Sequence, residues 1–325
     1  MASAVSSPAV RYSATDQQAI EWLLACAEPG IRAQVRRNLL DEPEGESAAA
    51  IAGGPWMTQL LAGQHQDGGF GVHPYQKWAG AHWRLVSLVE LGIPAGEPRA
   101  VDAVNTVLDW LTSAQHQATI KTIEGRTRRC ASQEGNALGV ASRLGLAGDP
   151  RTQQLAAFLV GWQWSDGGWN CDKTRTATHS SFHESLPPVW GLSEYAQATG
   201  DADAAHAARR ASEFFLQHLL FRSHTTGEIA DRNWLRSPYP AYWHYNFTQG
   251  LTVMARAGAL PDPRADEALS LLRDGRQPDG LWHVGGAPYW RRSGPMYWDP
   301  APWERSGPSL MLTLNAMRVL RAAAA

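Results

Sequence analysis

Three segments of this sequence repeat one another: QHQDGGFG at 64–71, QWSDGGWN at 163–170 and RQPDGLWH at 276–283. Each places an Asp-Gly pair after a helix-patterned run, with an aromatic residue just beyond it: Phe70, Trp169 and Trp282. The pairs begin at 67, 166 and 279, so each gap is long enough for two helical hairpins. Such a chain must be read as a repeat architecture, in which each unit buries its apolar face on its neighbours.

Between the turns the apolar residues recur at helical spacing. The pattern predicts helices over 16–28, 51–64, 79–92, 98–115, 133–146, 150–163, 184–199, 202–220, 241–258, 262–275 and 307–322. Helix stops such as ELGIP, RLGLAGDP, QATGDAD and RAGALPDP separate them, with Gly closing one helix and Pro or Asp opening the next. The helices at 98–115, 150–163, 202–220 and 262–275 mix charge with Ala and Leu, as an outer layer with one wet face does. Those at 79–92, 133–146, 184–199, 241–258 and 307–322 are poorer in charge and richer in Gly, Ser and Leu, and read as an inner, more buried layer. No stretch alternates in the manner of a strand. The expected fold is therefore all-α: a closed α/α toroid of about six hairpins over residues 15–325, preceded by a disordered stretch at 1–14.

Composition narrows the function classes. A formal net charge of -2 gives no electrostatic case for nucleic acid or an anionic membrane. Three scattered cysteines, Cys26, Cys130 and Cys171, form no disulfide framework; with no signal-like leader and no run long enough to span a bilayer, the expectation is cytoplasmic. The 15 Trp outnumber Tyr and Phe taken singly, which points to repeated aromatic packing positions or an aromatic-lined cavity.

At the three turns the sequence resembles the terpenoid cyclase and protein prenyltransferase superfamily, whose members share the α/α toroid. Gln64–Phe70 and Gln163–Trp169 match the QW motif of its squalene-hopene cyclase branch, and Arg276–Trp282 matches with Arg in place of Gln. The resemblance implies a structural role for these residues, the Gln capping a helix and the aromatic stacking on it. It covers most of the chain beyond about residue 50. The family's two acid motifs are missing: there is no DxDD (DADA at 201–204 is the nearest) and no DDxxD. An ordinary triterpene cyclase is excluded on those grounds, and the chain has about half the length of one.

In such a toroid the N-terminal ends of the inner helices meet at one mouth. His82, Cys130, His183 and His244 fall there at intervals of about one hairpin, and the loop GWNCDKTRTATHSSFHE adds Cys171, Asp172 and His179. Thiol and imidazole groups recurring in this way fit a zinc site, with Cys130, Cys171, His183 and His244 as the expected ligands. The resembling prenyltransferases hold zinc at inner-helix ends, an analogy of location alone, since their Asp-x-Cys motif has no match here. The competing reading is that Cys130 is a small buried thiol and the histidines are caps or core residues.

Other residues extend the mouth. Glu134, on a nearly uncharged helix, is a candidate acid or base, as are Asp172 and Tyr242, whereas Glu184 reads as an answer to its helix dipole. Arg129, with Lys121, Arg126, Arg128, Lys173 and Arg175, is a candidate for binding an anionic group. Trp190, Trp243 and Tyr245, with Tyr239, form an expected aromatic wall for substrate. The irregular segment 285–305 reads as a lid or as a loop tucked on the barrel. The functional expectation is an enzyme that cyclises or rearranges a small hydrophobic, isoprenoid-like substrate, with zinc as cofactor and no partner subunit. The alternatives are a zinc-dependent hydrolase or lyase on the same scaffold, and a non-catalytic toroid that binds a ligand or protein.

Overall fold

The computed structural model describes residues 12–285, 299–301 and 303–325. The disorder expected at the N-terminus and most of the expected lid lie outside these residues. The chain is an α/α toroid. Its outer helices are α1 (Ala14–Leu24), α4 (Pro55–Leu61), α6 (Pro98–Thr112), α9 (Pro150–Trp162), α11 (Ala202–Gln217) and α13 (Asp266–Asp274). The inner helices are α2 (Pro29–Val35), α5 (Ala81–Glu90), α8 (Ser132–Arg143), α10 (Phe182–Thr199), α12 (Phe247–Arg256) and α14 (Leu310–Ala323). Two short α-helices, α3 (Ala48–Ala52) and α7 (Ala114–Gln117), lie between these layers in sequence. The outer helices start as their sequences dictate: Glu97, Asp149 and Asp201 each accept a backbone N–H of the first turn, and Pro98 and Pro150 take the position where no donor is needed.

The ring closes because α14 packs on α1, α2 and α12. Closure also explains the repeats. In each turn a long side chain holds the turn carbonyl and reaches the next outer helix. Gln64 donates to Gly68 O (3.1 Å) and to Arg99 O on α6 (2.7 Å). Gln163 donates to Gly167 O (2.7 Å) and to Ala207 O on α11 (2.8 Å). Arg276 donates to Gly280 O (2.7 Å) and then bridges to α1, on Thr15 O (3.0 Å) and Asp16 (2.7 Å). The departure from Gln is thus the residue that joins the end of the ring to its beginning. Gly68, Gly167 and Gly280 have φ of 82°, 99° and 80°; a Cβ at Gly167 would stand 2.5 Å from Arg210 O of α11, so both the conformation and the close docking require glycine.

Three sequence expectations need correction. The sixth inner helix, α2, was not predicted; it runs on into a π-helical turn over Arg36–Leu40. The helix expected over 241–258 starts only at Phe247, because Tyr242 has φ 50° and Asn246 caps the helix by accepting Gln249 N. A small antiparallel hairpin, Lys121–Ile123 with Arg126–Arg128, lies where no strand was expected; Glu124 and Gly125, both at positive φ, make its turn.

The inner layer is tightest where α8 meets α10. Gly135 lies against Pro187 and Pro188, Gly139 under the Trp190 ring, and Gly191 against Gly135 O; a Cβ at these glycines would approach to 2.4, 2.9 and 2.2 Å. No side chain fits there.

Gly135→Ala is expected to destabilise the protein by about 1–3 kcal/mol, whereas Gly148→Ala, open on all sides, leaves stability unchanged or slightly higher in denaturant titration. The ring closure carries a pH signature. Burial pushes the Asp16 carboxyl up, but hydrogen bonds from Ser13 and Arg276 outweigh it and hold the group below its ordinary value. This contribution is present above the unfolded value of about 3.9 and is lost as pH falls through the lower folded value. Asp16→Asn should flatten Tm against pH below about pH 4 relative to wild type.

Candidate metal centre

The second repeat builds the mouth. Trp169 sends its indole N–H to Leu159 O of α9 (3.0 Å), and its backbone N–H is received by Ser185 Oγ of α10 (2.9 Å). The next residue, Asn170, pairs with the end of the hairpin: it bridges Arg128, and its carbonyl accepts Arg129 N (3.1 Å). With Arg128 and Arg129 held against Asn170, Cys130 and Cys171 come together. The α8–α10 contact then brings in Glu184 from the first turn of α10. One ligand atom each from Cys130, Cys171 and Glu184 lies within 4.8 Å of the other two, and all three residues are half-buried.

The three groups are tuned as a set. Glu184 Oε2 accepts both Ser132 N (3.1 Å) and Ser132 Oγ (2.8 Å), which leaves Oε1 toward Cys171 Sγ at 3.5 Å. Burial raises the Glu184 carboxyl above its usual range despite those hydrogen bonds. The hydrogen bond from Cys171 lowers the Cys130 thiol, and the same contact, with burial, holds Cys171 as a thiol far above its normal range. Three acids at this spacing cannot all ionise without a cation among them. Two thiolates and a carboxylate would suit zinc in ligand type. Ser132 supplies the outer hydrogen bonds that orient a ligating carboxylate.

The expected histidines are not in this group. His183 and His244 face one another with ring centroids 6.3 Å apart, and Trp243 stacks on His244 at 3.8 Å. His183 sits one residue before Glu184, and that step turns it toward Trp234 and Trp243 instead of the thiols. Burial lowers His244 to about 3, with His183 and Lys77 acting in the same direction. His82 is buried, 3.5 Å from Asn136 Nδ2, and burial lowers it to about 3. His179 is exposed and contributes its backbone carbonyl to Asn170 Nδ2 (2.8 Å).

The other predicted residues divide. Glu134 is completely buried, but its Oε1 is held by Arg129 at 2.6 and 2.7 Å, with His116 at 3.6 Å. Arg129 is thereby committed inside the protein. Asp172 is exposed and accepts Thr174 N in a local turn (2.9 Å). Arg128 is buried with its guanidinium over Trp164 (4.6 Å), Arg175 pairs with Glu124 in solvent, and the basic cluster does not converge. Tyr245 gives its hydroxyl to Leu220 O (2.5 Å) and its ring to Phe182 and Phe215, so it is core. Tyr242 stacks on Trp78 at 4.1 Å, and Trp190 donates to Glu194 (3.1 Å). Both line a central cavity of about 80 Å³, which begins one turn beyond Ser132 and Glu184 on α8 and α10, at Asn136 and Pro187.

Two residues stand outside the expected site set. Glu184 carries a signal in the sequence, as an acid at an inner-helix start, but reads there as an answer to its helix dipole. Tyr75 carried none: it lies in a loop, is hydrogen-bonded to Gln133, and is raised above its usual range by burial close to Glu184 and Cys130.

No family model matches the sequence, and no curated relative does. Two solved structures show a loose likeness in helical layout. One is a UGL variant with dGlcA-Glc-Rha-Glc, 15% identical over 90% of this chain and 84% of that one, TM-score 0.43. The other is the unsaturated glucuronyl hydrolase responsible for glycosaminoglycan degradation from Bacillus sp. GL1, 13% identical with the same coverage, TM-score 0.44. At this identity and overlap the likeness says nothing of what this chain binds or does.

The buried ion pair gives a direct test. Glu134→Gln leaves the Arg129 charge without its carboxylate and is expected to cost roughly 3 kcal/mol. Asp172→Asn should leave Tm unchanged, and the two melting curves separate an interior ion pair from a solvated turn.

Proposed function

We propose that the protein is a metal-dependent enzyme whose zinc ion is held by Cys130, Cys171 and Glu184, and that it performs hydrolytic or lyase chemistry on a small polar molecule at the mouth of the toroid. The proximity of the three ligand atoms, within 4.8 Å of one another on half-buried residues, carries this reading. Cys130, Cys171 and Glu184 would hold the ion, which would supply Lewis-acid chemistry at this mouth. Ser132 fixes the Glu184 carboxylate, and Arg129 with Glu134 braces the first turn of α8 beneath the thiols. The Tyr75 phenol, raised above its usual range by burial and hydrogen-bonded to Gln133, lies close enough to feel the Glu184 and Cys130 charges and is a further donor at this mouth.

Cyclisation of an isoprenoid finds less support. The central cavity, about 80 Å³, is well below the roughly 300–1,000 Å³ of ordinary small-molecule pockets. Glu134, its expected acid, is engaged by Arg129.

Elemental analysis of the purified chain should find about one zinc per molecule, lost in Cys130→Ser, Cys171→Ser and Glu184→Gln and retained in His183→Ala and His244→Ala. Absence of stoichiometric metal in the wild type, or a Cys130–Cys171 disulfide persisting under reducing conditions, would refute the assignment.

A further inference from the structure

The inner helices end together at the opposite mouth, and arginines line it. Arg37 follows α2, Arg143 and Arg256 close α8 and α12, and Arg318 and Arg321 lie on α14, around a pocket of about 390 Å³. Four of the five face a carboxylate: Arg37 pairs with Glu44, Arg143 with Glu194 (3.7 Å), Arg256 with Glu90, and Arg321 with Asp41 (2.6 Å). Arg318 has none among the described residues. It donates to the neutral oxygens of Gln34 (2.7 Å) and Asn315 (3.3 Å), and its Nε is buried without a partner.

Helix polarity accounts for part of this set. Arg143, Arg256 and Arg321 occupy the last turns of their helices, where cations answer the free carbonyls. Arg318 lies before the last turn of α14, so that explanation does not reach it. Burial, followed by the neighbouring Arg256 charge, lowers Arg318 to about 9, with Arg37 and Arg143 acting the same way and Glu90 opposing. Among the described residues this mouth thus holds one guanidinium that no carboxylate pairs with, at the wall of a pocket large enough for a small molecule.

We propose that this mouth binds a small organic oxyanion, a phosphate- or carboxylate-bearing molecule seated on Arg318 and flanked by Arg143 and Arg321. A guanidinium fork matches either anion bidentately. Trp190, Thr252 and Arg256 line both this pocket and the central cavity, so the ligand lies across the cavity from the metal centre and is independent of it.

The test is thermal denaturation and calorimetric titration of the full chain with sodium phosphate, sodium malonate and sodium chloride at matched ionic strength. Phosphate or malonate should raise Tm on the order of 3–5 °C beyond chloride, the larger shift distinguishing the phosphate from the carboxylate class. Arg318→Gln should fold with a Tm at or above the wild-type value without anion, since it removes an unmatched buried charge, and should show no anion-dependent rise. No rise beyond chloride in the wild type, or an equal rise in Arg318→Gln, overturns the proposal. Should Arg318→Gln fail to fold, Arg143→Gln, whose side chain is 43% exposed, carries the test: a Kd weakened at least about ten-fold supports the site, and an unchanged Kd overturns it.

Discussion

The contact between α8 and α10 governs the rest of the molecule. Gly135, Gly139 and Gly191 remove the side chains that would hold the two helices at an ordinary distance, and Pro187 and Pro188 fill the space directly against Gly135. Those prolines also withdraw two backbone donors from the first turns of α10, so this part of the helix depends on its packing. What the close approach delivers is alignment of two N-termini. Ser132 at the start of α8 reaches Glu184 at the start of α10, and the thiols follow from the strand-like pairing beside them. The arrangement of groups at the mouth is a consequence of helix spacing deeper in the ring.

The two mouths differ in kind because inner helices in a toroid run parallel. N-terminal ends gather partial positive charge at one mouth and tolerate acids, as with Glu184. C-terminal ends gather partial negative charge at the other and attract arginines, as with Arg143, Arg256 and Arg321. The Glu90–Arg256 pair spans from α5 to α12 and braces the ring between them. The central cavity is left small because Trp190, Tyr239 and Tyr242 occupy it.

The fold was legible in the sequence to the extent that its determinants are local. Caps such as Asp149-Pro150 and Asp201 work within one turn, and the repeats recur at visible intervals. Helix α2 was missed since its residues, PGIRAQV, are short, begin with Pro-Gly and adjoin a charged tail, although the packing of α14 holds them in the inner layer. The hairpin depends on a two-residue turn with only one glycine. For the site, Cys130 and Cys171 were recognisable by residue type and position. The structure brings Glu184 to them and not His183, because helix phase decides between adjacent side chains: the two differ by about 100° around α10, and Glu184 is the one beside the thiols. Arg129 and Glu134 looked like separate functional groups, since nothing in a sequence reveals that two charges five residues apart neutralise one another in the interior.

The joint between Arg276 and Asp16 spans 260 residues of chain. During synthesis α1 emerges first, yet the turn that receives it is made near the end. At about 5–20 residues per second, the interval is on the order of 10–50 seconds. Throughout it Ala19, Ile20 and Leu23, all buried in the finished ring, have no partner in α14. A nascent chain of this design carries an unfilled seam along α1, and that apolar edge must be kept from other surfaces until α14 arrives.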